Sequence, residues 1–87
     1  MWYTTDVRLM ETLMNRLREL RKEKGCTIRE ISQYLFCDYS LYSKYEREER
    51  MIPIDYLIKL SDFFDTNIDY ILGRTVYRRK LPTDGTD

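Results

Sequence analysis

The chain is predicted to be an all-α bundle of five helices. Three observations carry this expectation. Apolar residues recur at helical spacing from Met10 to Leu72, glycines stand where two of those runs stop, at Gly25 and Gly73, and no stretch carries a β signal of any length. The links between runs are short, so neighbouring helices must pack as an orthogonal bundle. The predicted layout is an N-terminal helical extension over 1–13, continuous with the first helix, a compact domain over 14–74, and a polar tail over 75–87 that is expected to fray.

Met10, Leu13, Met14, Leu17 and Leu20 form one stripe of the first helix, while Arg16, Arg18, Glu19, Lys22 and Glu23 fall outside it. Gly25 ends this helix because glycine accepts a left-handed backbone, and Lys22 and Lys24 suit the negative end of the helix dipole. The stripe continues backward through Val7 and Tyr3. Val7, Met10, Met14 and Leu17 have the spacing of a coiled-coil seam, and Trp2 adds a large apolar group, so three roles stay open for the extension: packing on its own domain, a dimer contact, or partial disorder.

Thr27 begins the second helix, since Thr27 and Glu30 make a capping box. Ile28, Ile31 and Leu35 face inward, and the small Ser32 lets the following helix approach closely. Asp38 is placed to cap the third helix, where Tyr42 and Tyr45 are core aromatics and Ser40, Ser43, Lys44 and Arg47 group on the opposite side. Tyr39 borders the polar side and Leu41 the apolar one. Only Phe36, Cys37 and Asp38 separate the two helices. So short a junction forces a steep crossing and leaves the polar side of the third helix outward, which is the geometry of a helix-turn-helix DNA reader.

Pro53 is expected at the first position of the fourth helix, with Asp55 in its first turn and Ile54, Leu57, Ile58, Leu60, Phe63 and Phe64 as a wide buried face. Thr66 and Asn67 can cap a fifth helix, Ile68 to Leu72, which Gly73 terminates.

Composition excludes several function classes. With 87 residues the chain makes one domain, which buries only roughly 60–65% of its unfolded surface and needs every apolar stripe for a shared core. Cys26 and Cys37 with no histidine cannot assemble an ordinary zinc site, and both suit small core positions, so neither metal nor cofactor is expected. No histidine, glycine-rich phosphate loop or acid pair in a cleft supports an enzyme, and no small-molecule ligand is evident. No run reaches the roughly 20 apolar residues of a membrane span, and the opening residues lack a secretory pattern, which points to the cytoplasm. Lysine plus arginine balance aspartate plus glutamate at fifteen each, which weighs against strong non-specific nucleic-acid binding. The positive residues nevertheless cluster, with Lys44, Arg47 and Arg50 as one group.

Over roughly residues 14–74 the chain resembles the Cro- and lambda-repressor-like, or XRE, helix-turn-helix family. The matching pieces are NRLRELRKEKG, TIREIS, YSKYERE, IDYLIKLSDFF and NIDYILGRT in that order and spacing. The resemblance implies a five-helix domain and a transcriptional regulator that binds a double-stranded DNA operator as a homodimer. It places base contacts on Tyr39, Ser40, Ser43 and Lys44 and phosphate contacts on Thr27 and Arg29, and Arg47 and Arg50 are expected to hold phosphates with them. It also implies an ion pair of Arg21 with Glu46 between the first and third helices. Three positions depart from the family pattern. Phe36 replaces a frequent turn glycine, so the turn is expected to use a conformation open to a residue with a Cβ. Ile28 replaces a polar residue, and Glu48-Glu49 replace a frequent Gly-Lys. The rival reading is a protein-interaction module on the same fold, supported by Phe36, Tyr39 and Leu41 near the reading side.

Overall fold

The computed structural model describes residues 2–80, with side chains from Arg8 onward. It contains α1 (Trp2–Lys24), α2 (Ile28–Leu35), α3 (Tyr39–Glu46), α4 (Ile54–Phe63) and α5 (Ile68–Ile71), and no strand among the described residues. α2 packs against α3, α1 against both α3 and α5, and α4 against α5.

One core joins all five. Leu13, Met14, Leu17 and Leu20 of α1 meet Ile31, Leu35, Tyr42, Tyr45, Ile52, Leu57, Leu60, Tyr70 and Ile71. Each fully buried aliphatic side chain contributes about 1.5–3 kcal/mol relative to exposure, so the α1 stripe is a main source of cohesion. Met14 and Leu17 are therefore taken up by their own domain, and Met10 is half-buried against it, which removes them from any coiled-coil seam. The side chains of Trp2, Tyr3 and Val7, the N-terminal part of that pattern, lie outside the described residues.

The N-terminal caps agree with local sequence in two cases. Thr27 Oγ1 accepts from Glu30 N at 3.1 Å while Glu30 Oε1 accepts from Thr27 N at 2.8 Å, completing the capping box. Asn67 Oδ1 accepts from Tyr70 N at 2.8 Å at the start of α5. Asp38 occupies the N-cap position of α3, but its side chain makes no capping hydrogen bond. Pro53 is the N-cap of α4 rather than its first helical residue.

Every helix ends on the same backbone device. The first residue beyond the helix turn is left-handed, its N–H donates to the carbonyl three residues back, and the next N–H donates five residues back, as in the Schellman motif. The left-handed residues are Gly25, Phe36, Glu48, Asp65 and Gly73, with φ of 74°, 57°, 63°, 55° and 81°. The expectation that the α2–α3 turn would avoid this conformation is thus corrected. Phe36 adopts the backbone that glycine would have taken, because Phe36 N bonding Gln33 O and Cys37 N bonding Ser32 O require it.

Two further corrections concern α4 and the tail. Leu57 and Leu60 are buried, but Ile54 and Ile58 are 61% and 48% exposed, because they lie on the flank of α4 that no other described element covers. Residues Tyr77 to Lys80, expected to fray, are strapped to the domain. Asn67 Nδ2 donates to the carbonyls of Tyr77 at 3.0 Å and Arg79 at 2.7 Å, Thr66 Oγ1 donates to Arg78 O, Arg78 pairs with Glu23 at 2.6 Å, and Lys80 pairs with Asp62. Thr66 and Asn67 are buried, so these bonds also satisfy polar groups that would be costly to leave unpaired.

Candidate nucleic-acid interface

α3 is anchored from behind. Tyr42 and Tyr45 sit in the core with their rings edge to face at 6.2 Å, and Tyr45 makes a second such contact with Tyr56 at 6.1 Å. Below them, Arg21 of α1 grips Glu46 in a two-pronged pair, Nε to Oε2 at 2.9 Å and Nη2 to Oε1 at 3.2 Å, while its Nη1 donates to Cys26 O at 3.1 Å. The side chains are 15% and 5% exposed, so the pair is largely desolvated. Removing one partner of such a pair leaves an uncompensated charge, a loss of about 3–5 kcal/mol. Arg18 adds a bond to the Glu46 carbonyl. The hydroxyl of Tyr42 is buried near Glu46 without a well-formed hydrogen bond among the described residues, and burial, then the nearby carboxylate, pushes its pKa up.

With one side so fixed, the opposite side of α3 faces out. Tyr39, Ser40 and Lys44 are exposed and Ser43 is half-buried, so the four residues expected to touch bases share the accessible side of one short helix. Tyr39 is not free-standing: the Arg29 guanidinium lies 5.2 Å from its ring centre, which ties the first turn of α2 to the first turn of α3. Thr27 and Arg29 are both exposed at the N-terminus of α2. An open hollow of about 490 Å³ lies there, lined by Arg21, Cys26, Thr27, Ile28, Arg29 and Tyr39. The side chain and N–H of Thr27 are occupied by the capping box, so the backbone groups at this end left for an anion are the first N–H groups of the helix proper, Ile28 and Arg29.

Ser32 explains how α2 and α3 come so close. It is buried, and its hydroxyl is turned back onto Arg29 O at 2.8 Å, so a small side chain with no unsatisfied group sits at the crossing. The pKa of the Cys37 thiol, half-buried in the turn, is pushed up by burial and then by the Asp38 carboxylate.

The end of α3 holds what the sequence did not disclose. Glu48 and Glu49 do not stand as two free charges. Glu48 turns inward to Arg18 at 3.5 Å, and Arg18 is also held by Asn15. Glu49 turns to Arg47, with Nε donating to Oε2 at 2.8 Å and Nη2 to Oε1 at 3.4 Å. That bond lowers the carboxyl of Glu49 and raises the guanidinium of Arg47. Of the residues expected to hold phosphates, Arg47 is thus already paired, whereas Arg50 is exposed and takes part in no ion pair among the described residues. Sequence reasoning saw two acidic residues near the phosphate path; only the left-handed Glu48 shows that they point to different partners.

A family model described as Helix-turn-helix matches residues 17–71. An uncharacterized HTH-type transcriptional regulator of Bacillus subtilis, YobD, is 38% identical over 60 residues, covering 69% of this chain and 54% of that protein. The HTH-type transcriptional regulator ImmR of the same organism is 36% identical over 73 residues, covering 84% of this chain and 58% of its own. A third, AnsR, is 35% identical over 69 residues, with 79% and 60% covered. The chain therefore spans between 54% and 60% of the length of these relatives. No solved structure matches it. The chain belongs to the XRE-type helix-turn-helix family.

Proposed function

We propose that this helix-turn-helix chain binds double-stranded DNA sequence-specifically as part of a transcriptional regulator, acting as a homodimer with α3 in the major groove. In this reading Tyr39, Ser40, Ser43 and Lys44 contact bases, and Thr27, Arg29, Arg47 and Arg50 hold phosphates. The observation that carries it is the division of α3: one side locked by Tyr42, Tyr45 and the Arg21–Glu46 pair, the other presenting hydroxyls and an amine beside the free N-terminus of α2. Short hydroxyls and a lysine are groups that reach base edges in the major groove.

Selection of bound sites from a random duplex library at moderate salt, with the mass in solution measured alongside, tests this. A motif with two half-sites about one helical turn apart and a dimeric mass is the expected result. Lys44→Ala should lower affinity for the selected site by about tenfold and relax the preference at one position, in line with about 1–3 kcal/mol for a good base contact. An unchanged motif and affinity would remove α3 as the reading element. Exposure of Phe36 at 91%, together with Ile54 and Ile58, favours a second reading, a protein-binding module, which failure to enrich any sequence would support.

A further inference from the structure

We propose that Glu49 is a built-in competitor for DNA: its carboxylate holds the Arg47 guanidinium in the free protein, and a backbone phosphate must displace it before α3 can engage. The proposal rests on the reading of Arg47 as a phosphate contact. Its basis is the geometry at the end of α3. Arg47 caps the helix, Glu48 follows with a left-handed φ of 63°, and this corner brings the side chains on either side of Glu48 together. The carboxylate takes the guanidinium on two nitrogens, the same two-pronged contact by which arginine takes a phosphate. A phosphate and Glu49 cannot both have it.

Three features make this a competition rather than a fixed tie. The two side chains are 54% and 52% exposed, so water can take over either partner and the pair opens readily. The neighbouring Glu48 is spoken for by Arg18 and cannot replace Glu49 at Arg47 without leaving its own partner. Lys44, the amine on the reading side, adds a smaller downward pull on the Glu49 carboxyl after that of Arg47. On a chain of zero net charge, an internal anion there subtracts from binding to every duplex alike. Only a site that also supplies base contacts then binds firmly.

The test uses the whole chain and the duplex selected above, with an unrelated duplex as the non-specific probe. Glu49→Gln keeps the shape of the side chain and should raise affinity for both duplexes by about three- to fivefold at low salt. With Arg47→Gln already in place, the gain from Glu49→Gln should fall below about twofold, since the competition has nothing left to compete for. In the free protein, the Arg47 Nε–H resonance should exchange more slowly than that of the unpaired Arg50 and lose that difference in Glu49→Gln. An equal gain with and without Arg47 would show a general charge effect and overturn the proposal, as would an unprotected Nε–H. If no variant binds any duplex at low salt while the Nε–H is protected, the DNA reading itself fails and the pair is an ordinary surface contact.

Discussion

α1 and α5 finish on glycine, whereas α2, α3 and α4 finish on Phe36, Glu48 and Asp65, though the hydrogen-bond pattern is the same at all five ends. The left-handed backbone costs a residue with a Cβ about 1–2 kcal/mol and costs glycine little. The helices that frame the domain, first and last, thus end without strain. The reading helix and its two neighbours end with strain. At Glu48 the return is visible: its side chain meets Arg18, and its corner sets Arg47 against Glu49. At Phe36 nothing in the structure repays it, for the ring is 91% exposed. The difference separates ends shaped by stability from ends that keep a side chain at some cost to it.

Substitutions sharpen this contrast. The largest effect belongs to Gly73→Ala, because a Cβ there would lie 2.5 Å from Thr12 Cγ2 in addition to the φ of 81°. Denaturant unfolding should show a loss of about 2–3 kcal/mol, of which Thr12→Ser in the same chain recovers the part due to the clash. Gly25→Ala has open space around its Cβ and should lose only the conformational part, about 1 kcal/mol. If the two alanines cost the same, contact with α1 is not what fixes Gly73. Phe36→Gly should move the other way, raising stability by about 0.5–1 kcal/mol, since relief of the left-handed backbone outweighs the entropy glycine loses on folding. A destabilised variant would mean that the ring buries surface after all. Smallest is Glu48→Gly, within about 0.5 kcal/mol of no change, because the same relief is offset by loss of the half-buried contact with Arg18.

Much of the fold could be read before any coordinates. The α1 stripe, the Thr27–Glu30 box, the Asn67 cap and the two glycine ends all depend on residues within one turn of each other. The outward side of α3 followed from the about 100° turn per residue once Tyr42 and Tyr45 were assigned inward. Ile54 and Ile58 of the fourth helix depart from the expected buried face for a related reason: periodicity shows which residues share a face, and not whether another element covers it. Within the candidate interface, sequence supplied the residues and missed their pairings. Arg29 with Tyr39, Arg18 with Glu48 and Arg47 with Glu49 could not be chosen from among fifteen cations and fifteen anions by spacing alone.

Sequence by itself determined where the chain is helical from α2 to α5, the stripe of α1 that is buried and the caps at Thr27 and Asn67, because these follow from hydrogen bonds and side-chain periodicity over a few residues. Tertiary structure decided the rest: that Phe36 and Glu48 bend the chain as glycine would, that Thr66 and Asn67 hold the tail, and that Glu49 holds Arg47. Each of those depends on a corner or a neighbour whose place is set only when all five helices close on one core, and a local pattern carries no record of that closure.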